Sequence, residues 1–310
     1  MNGNYRIETA DTKEKYEGLR TLWCEVFNDE PSFIDGMYSF FGANPKEGIY
    51  TSDNIKGYLC LSDEGFAVSA LTCFRCGDLD GTASYTSYAI CTDPECRGLG
   101  FAGSLVEHVR DIVLESGGVS VISPAEPSLE NFYSAHGYEA FFMAESDKVK
   151  ADDEEAFIFD EEDGEYDKVN PAFKMKKLSA SEYNDYRESF LGDRPHIFLN
   201  EYMINLVYDE SRRPDGSSGL MLINDGDAIC ALGETGEDEI EISELLVNPA
   251  LLDFSPEIAS EIALRVAAHF GKKAAIYTAP GRDKCQSMIA GRNNLTDENI
   301  TEAYYGFPIN

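Results

Sequence analysis

The stretch that decides the fold is CTDPECRGLGFAG at residues 91–103. Residues 82–92, which overlap the start of this stretch, are rich in side chains typical of β-strands. Residues 98–116 carry apolar side chains at helical spacing. The pattern predicts a strand, a glycine-rich loop and a helix. Glycines let loop N–H groups converge on one point, and a helix N-terminus adds positive potential. We expect this loop to bind a pyrophosphate, with Arg97 adding charge at the same anion.

Residues 98–103 also match the G-x-G-x-x-G fingerprint of dinucleotide-binding proteins. That fingerprint requires a parallel strand that leads directly into the first glycine. Here residues 93–97 intervene, and the Asp80-Gly81 turn predicts that residues 82–92 pair with residues 66–76 as an antiparallel hairpin. The sequence therefore disfavours a dinucleotide site.

Two motifs resemble those of the GNAT N-acetyltransferase superfamily. Arg97, Gly100 and Ala102 fill its acetyl-CoA signature, and NFYSAHGY at residues 131–138 fits its later Tyr and Gly-aromatic motif. The resemblance covers residues 1–145. It implies an α/β (α+β) fold with a mixed, mostly antiparallel sheet flanked by helices, and it implies acetyl-CoA as a co-substrate.

The resemblance also implies a set of site residues. Tyr133 is the implied general acid, which protonates the departing thiolate, and a backbone N–H near Ile90 is the implied donor to the thioester oxygen. The alternative for Tyr133 is a packing tyrosine. The implied acetyl-CoA-binding residues are Ile90, Cys91, Thr92, Arg97, Gly98, Leu99, Gly100, Phe101, Ala102 and Gly103.

The general base is open at this point. Residues 82–92 contain no Asp or Glu, whereas Asp29 and Glu30 lie in a loop that lines the acceptor site in the resembled family. Either carboxylate could accept a proton directly or through water. They could equally be ordinary surface acids of an acidic protein, and the terminal carboxylate of Asn310 is a further candidate.

The order of strands and helices in the first half recurs in the second, with an offset of 155 residues between Pro94 and Pro249. We therefore expect a catalytic domain at 1–148, an acidic linker or hairpin at 149–169, and a degenerate GNAT-like domain at 170–310. The sequence PALLDF at residues 249–254 replaces the glycine loop, so we predict that the second half binds no CoA. The tandem layout resembles the enhanced-intracellular-survival acetyltransferases and, more loosely, mycothiol synthase.

Hydrophobic periodicity and turn signals predict the remaining elements. A capping box at Ser179 and Glu182 marks one further helix. The other predicted helices cover 12–28, 31–41, 128–136, 196–208 and 256–270. The predicted strands cover 5–8, 57–61, 66–76, 82–92, 119–122, 138–143, 173–178, 220–223, 228–234, 240–247 and 274–278.

Composition excludes several classes of partner. The 310 residues include 57 acids and 25 Lys plus Arg, for a net charge of −32. Such a field disfavours nucleic acid and anionic membranes. No apolar run suggests a membrane span and the N-terminus is polar, so we expect a cytoplasmic protein. Four of the eight cysteines lie at 73–96, but their positions along the predicted hairpin are too far apart for zinc, and we expect no metal.

The resemblance implies an N-acetyltransferase that transfers an acetyl group from acetyl-CoA to a primary amine by direct attack on the thioester. The acceptor is an unidentified small molecule or a side chain, including a peptide lysine. A catalytically inactive acyl-CoA-responsive binding or regulatory protein is the alternative, which the missing carboxylate at residues 82–92 favours.

Overall fold

The computed structural model describes residues 5–150, 173–252, 257–291 and 303–306. Within these residues the chain forms 13 strands and eight α-helices. The strands are β1 Tyr5–Thr9, β2 Ile55–Ser62, β3 Ala67–Leu79, β4 Thr82–Thr92, β5 Val119–Ile122, β6 Glu139–Lys150, β7 Met175–Lys177, β8 Ile197–Leu199, β9 Leu220–Ile223, β10 Ala228–Thr235, β11 Glu239–Val247, β12 Ala274–Pro280 and β13 Lys284–Ala290. The helices are α1 Lys13–Phe27, α2 Pro31–Phe40, α3 Phe101–Glu115, α4 Glu130–Ala135, α5 Ala180–Leu191, α6 Glu201–Glu210, α7 Pro249–Leu252 and α8 Ile258–His269.

The strands form one mixed sheet in the order β1-β2-β3-β4-β5-β13-β6-β12-β11-β10-β9-β7, with β8 paired to β3. The β4–β5 and β11–β12 pairs are parallel, and the other pairs in the sheet are antiparallel. Helices α1 and α3 pack on the sheet beside β2, β3 and β4, and α8 packs beside β11 and β12. This arrangement confirms the predicted mixed, mostly antiparallel sheet flanked by helices.

The order of strands joins the two halves of the chain. β13 lies between β5 and β6, pairing antiparallel with both, although it comes from the last part of the chain. The 13-residue-long hairpin strand β3 also pairs with β8 from the second half. The domain boundaries remain a prediction, and residues 151–169 of the expected acidic linker lie outside the described residues.

The two halves repeat one irregularity. In the first half Ala70 pairs with Cys91 and Thr72 pairs with Tyr88, so Ala89 and Ile90 oppose a single residue of β3. In the second half β10 and β11 have a register shift at the corresponding place, beside Ser243. In each half the bulge follows the point where the parallel strand pairing has ended. The shared geometry agrees with the offset of 155 residues in the sequence.

Local sequence signals account for most element boundaries. Thr12 caps α1 by accepting a hydrogen bond from the Lys15 amide, and Ser179 with Glu182 forms the predicted capping box of α5. Asp80 and Gly81 both have positive φ, as a two-residue hairpin turn requires. Helix α3 begins three residues later than residue 98, because Gly98 and Gly100 have φ of 77° and 87° and cannot continue a right-handed helix.

The predicted helix at 196–208 is wrong in its first part. Residues Ile197–Leu199 form β8, which pairs with Gly77–Leu79 of β3, and the helix begins only at Glu201. The Asn200 side chain caps it by accepting from the Met203 amide. The sequence analysis also missed β13, whose polar residues at its start and middle hide the strand pattern.

A buried polar cluster holds the C-terminal segment 303–306 in the core. Arg187 and Glu244 are both fully buried and form an ion pair with Nε and Oε1 3.4 Å apart. The Tyr183 hydroxyl donates to the other oxygen of Glu244 at 2.7 Å, and Arg187 donates to the Tyr305 carbonyl at 2.7 Å. In the described part of the chain, no helix combines the length and apolarity that a membrane crossing requires.

Candidate active site

A cleft opens where β4 and β5 separate. The parallel pairing of these strands ends at Ser87 and Ile122, and the residues that follow on both strands line one cavity of about 400 Å³. Residues 86–90 of β4 form one wall, and Leu129 and Tyr133 form another. Two parallel strands that diverge in this way leave the backbone of β4 accessible to a ligand.

The bulge at Ala89 and Ile90 lies on the β4 wall of this cleft. Ala89 has a φ of 49°, a left-handed conformation that is costly for a residue with a Cβ atom. A bulge leaves the backbone of its extra residue without a partner in the ladder. One residue of β4 is therefore outside the regular pairing with β3 at the place where Ile90 lines the cleft.

The glycine-rich loop continues from the end of β4. Gly98 and Gly100 both have positive φ, and a Cβ atom at either position would meet nothing within 4 Å. Their role is therefore conformational. Gly100 is the N-cap residue of α3, and the first turn of this helix contains no acid. The first helical amide with a backbone partner is that of Ser104, so the amides of residues 101–103 are open to an anion.

Hydrogen bonds from two side chains stabilise the turn between β4 and the glycine loop. Asp93 accepts a hydrogen bond from the Glu95 amide at 2.8 Å, which closes the turn after β4. Arg97 Nε donates to the Thr92 carbonyl at 3.3 Å, and its side chain is exposed next to Gly98. Leu99 is 58% exposed. Arg97 and Leu99 are therefore available to a ligand at the loop.

Two of the predicted cofactor residues have a second role in packing. A Cβ atom on Gly103 would lie 2.4 Å from the His136 ring, so any larger residue there would displace this ring at the end of α4. Cys91 is 3% exposed and its side chain belongs to the core. Both residues can reach a ligand only through their backbone.

Tyr133 lines the cleft from α4. It is 6% exposed, its ring contacts Phe132 and Tyr138, and within the described ranges its hydroxyl has no hydrogen-bond partner. Burial raises the pKa of Tyr133 to about 12. The cleft therefore contains a phenol that stays protonated at neutral pH and has a proton to donate.

The structure separates the two predicted base residues. Asp29 lines the cleft and accepts a hydrogen bond of 2.7 Å from the Trp23 indole N–H. Glu30 is exposed, occupies the N-cap position of α2 and does not line this cleft. Asp29, Ile90 and Tyr133 thus share one cavity. The third base candidate, Asn310, lies outside the described residues.

A larger cavity of about 990 Å³ adjoins the cleft, because Ala125 lines both. Glu210, at the end of α6, faces this cavity. The surrounding protein and the like charge of Asp209 raise the pKa of Glu210 to about 7. Sequence analysis missed this residue, because a Glu at the end of a helix carries no signal of its own and only the tertiary fold brings it near the cleft.

In the second half, the described residues at the position of the glycine loop are helical. Pro249–Leu252 form the short helix α7 where the first half has its glycine loop, and Asp253 and Phe254 of the predicted replacement lie outside the described residues. Near the bulge of β11, the Glu244 carboxylate forms an ion pair with Arg187 and accepts a hydrogen bond from Tyr183. The prediction that this half binds no CoA remains a prediction.

The cysteines of the hairpin occupy separate positions. Cys73 pairs with Ser87, and Cys91 pairs with Ala70, three residues away along β3. Cys76 is buried, and its thiol donates to the Ser84 carbonyl at 3.3 Å. Among the residues that the structure describes, no three His, Cys, Asp or Glu side chains are grouped so that they could hold a metal ion.

Solved structures with a similar arrangement of strands and helices include GCN5-related N-acetyltransferases. One from Anabaena variabilis ATCC 29413 superposes with a TM-score of 0.61 at 14% identity, over 92% of this chain and 72% of that one. Eis1 from Mycobacterium abscessus superposes with a TM-score of 0.55 at 10% identity, over 93% and 73%. The chain has the GNAT fold.

A third GNAT-fold neighbour is a conserved protein of unknown function from Enterococcus faecalis V583, described as a probable N-acyltransferase. Its TM-score is 0.60 at 12% identity, over 92% of this chain and 72% of that one. The resemblance based on residues 97–102 and 131–138 is thus confirmed at the level of the fold. No family model matches the chain, and no curated protein matches its sequence.

Proposed function

We propose that this protein is an acetyl-CoA-dependent N-acetyltransferase that transfers an acetyl group to a primary amine of a small molecule or a side chain. The observation that carries the proposal is the cleft between β4 and β5. It combines a backbone bulge at Ala89 and Ile90 with a Tyr133 hydroxyl that has no hydrogen-bond partner among the described residues, and β4 continues from the cleft into the glycine loop. The GNAT neighbours support the same class of reaction.

The pyrophosphate of the co-substrate fits the start of α3. The amides of Phe101, Ala102 and Gly103 are free of helical partners, and the N-cap residue Gly100 has no side chain to occupy them. A helix N-terminus carries about half a positive charge. Arg97 adds a full charge beside the loop, which matters in a protein with a net charge of −32.

Acetyl-CoA supplies an acetyl group that is already activated as a thioester. The backbone N–H groups at the bulge of Ala89 and Ile90 donate to the thioester oxygen, where negative charge develops during attack. A preorganised donor of this kind contributes about 3 kcal/mol of barrier lowering in characterised enzymes. A bulge suits this role because its N–H is not already committed to a neighbouring strand.

Tyr133 is the general acid in this proposal. Its hydroxyl is protonated at neutral pH both at the ordinary tyrosine pKa of about 10 and at the value of about 12 to which burial raises it, so it carries a proton for the departing sulfur. The same burial disfavours a bare thiolate, whose ordinary pKa is about 8.5, and so favours transfer of the proton. Among the described residues that line the cleft, Tyr133 is the tyrosine on the wall opposite β4.

Asp29 is favoured over Glu30 as the carboxylate that accepts a hydrogen bond or a proton from the acceptor amine. One of its oxygens is fixed by Trp23 Nε1, which leaves the other oxygen free to accept a hydrogen bond or a proton from the attacking nitrogen. Glu30 is exposed outside the cleft.

The test of this proposal is thiol release from acetyl-CoA in the presence of a broad panel of amines. We expect amine-dependent release, and mass spectrometry of the acceptor should show a gain of one acetyl group. The alternative is an acyl-CoA-responsive binding protein, which the lack of a carboxylate on β4 favours. Such a protein would bind acetyl-CoA and release thiol with none of the amines.

A further inference from the structure

The cavity of about 990 Å³ beside the cleft has walls from both halves of the chain. Ala144 on β6 faces it from the first half, and Glu210 and residues 233–235 face it from the second. Ala125, which follows β5, lines both this cavity and the cleft. A molecule held in the cavity can therefore present one end at the cleft, where the thioester is expected.

The charge of the cavity wall differs from that of the whole protein. The chain has more than two acids for each Lys or Arg. The wall has equal numbers, namely Glu210, Glu234 and Glu241 with Arg212, Arg213 and Lys284. An acceptor that carries both charges can pair with the acids and with the cations of this wall, whereas a polyamine or a basic peptide can pair only with the acids.

The three cations differ in how far they are already engaged. Arg213 donates to the Gly233 carbonyl at 2.8 Å and lies over the Phe270 ring, and Arg212 is paired with Asp209 at 3.2 Å. The Lys284 side chain has neither an ion-pair nor a hydrogen-bond partner in the ranges that the structure describes. Lys284 is thus the wall cation with all of its donors available to a ligand.

Glu210 lines the larger cavity from the end of α6. Burial raises the pKa of Tyr88, a residue of the cleft wall, and the charge of Glu210 adds to that effect. Its neighbour Arg212 is committed to Asp209. Glu210 therefore provides a carboxylate on the wall of the larger cavity, to which an ammonium group can bind.

We propose that this cavity is the acceptor site, and that the acceptor is an amine that also carries an anionic group, either a carboxylate or a phosphate. Glu210 binds the ammonium end beside the cleft, and Lys284 binds the anionic end. The volume is at the upper limit for small-molecule sites, which fits an acceptor of the size of a short peptide or an amino sugar phosphate. The inference rests on the proposed acetyl transfer.

The experiment compares matched acceptors by thiol release at saturating acetyl-CoA. One pair is a free tripeptide and its C-terminal amide, and the other is glucosamine 6-phosphate and glucosamine. We expect the anionic member of at least one pair to have a kcat/KM about tenfold higher, and the pair that shows the difference distinguishes carboxylate from phosphate.

Substitutions in the wall locate the effect. Lys284→Met should raise KM for the anionic acceptor about tenfold and leave the neutral partner unchanged, whereas Lys284→Arg should retain the preference. Lys46→Met, which removes a lysine outside the cavity, is the matched control.

For the wild type, KM should fall as pH rises through about 7 because Glu210 ionises, and Glu210→Gln should flatten that dependence.

The outcomes separate the two proposals. A preference for neutral acceptors, or a preference that survives Lys284→Met, would overturn the inference and leave acetyl transfer intact. Binding of acetyl-CoA with use of neither anionic acceptor would also overturn it. Absence of both acetyl-CoA binding and thiol release would instead remove the proposed function.

Discussion

Tyr133 and Asp29 show how differently single residues can be assigned from sequence. The motif at residues 131–138 singles out Tyr133, and the fold places its free hydroxyl on the cleft. Asp29 and Glu30 are adjacent and chemically similar, so sequence could not choose between them. The choice depends on the Trp23 hydrogen bond and on which side chain the turn before α2 directs into the cleft.

Replacing Tyr133 by Phe removes the hydroxyl and retains the ring that packs on Phe132 and Tyr138. We expect kcat to fall by about 10²-fold, because a general acid contributes an effect of that order, while the Kd for acetyl-CoA stays unchanged. Steady-state kinetics and calorimetry measure the two quantities.

Tyr138→Phe is the control for that experiment. The Tyr138 hydroxyl is bonded to Ser120 in the core at 2.7 Å, so its loss should lower stability by about 1 kcal/mol with turnover retained. Equal turnover of Tyr133→Phe and the wild type would exclude Tyr133 as the acid.

At the scale of elements, the loop from β4 to α3 was predictable because its signals are local. Glycines at 98 and 100 require no distant contact to explain them. Strand β8 and strand β13 are the opposite case, since β8 forms by pairing with β3, and β13 forms between β5 and β6. These partner strands are far away in the sequence, so a local sequence pattern cannot predict that β8 and β13 pair with them.

Helix α3 provides a test of packing at the loop. Gly103→Ala places a methyl group against the His136 ring, and we expect unfolding free energy to fall by about 1–3 kcal/mol. Gly36→Ala in α2 meets nothing within 4 Å and should increase stability by up to about 1 kcal/mol. Urea denaturation followed by circular dichroism measures both, and a Gly103→Ala variant as stable as Gly36→Ala would contradict the packing role.

At the scale of the whole molecule, the two halves share one sheet, and the segment 303–306 bonds to both halves, since the Ala303 carbonyl accepts a hydrogen bond from the Met143 amide of the first half. β13 completes the first half, and Arg187 holds the segment 303–306 against Glu244 from the second half. The repeated order of elements was visible in the sequence. The sequence did not show that the two halves share one sheet, because this depends on which half each strand pairs with.

Arg187→Met tests this coupling. It leaves Glu244 buried without its cation, and loss of one partner of a buried pair costs about 3–5 kcal/mol. Trp23 is the single tryptophan and lies in the first half, so its fluorescence reports that half, while circular dichroism reports both. We expect both midpoints to shift together. A Trp23 transition that keeps its wild-type midpoint would show that the halves unfold independently.

The central claim is that one cleft, between β4 and β5, binds acetyl-CoA through the glycine loop. Isothermal titration of the full chain with acetyl-CoA tests it most directly. The account predicts one site per chain and a change in the fluorescence of Trp23, which lines the cleft. Two sites per chain would contradict the assignment of the second half, and the absence of binding would contradict the account as a whole.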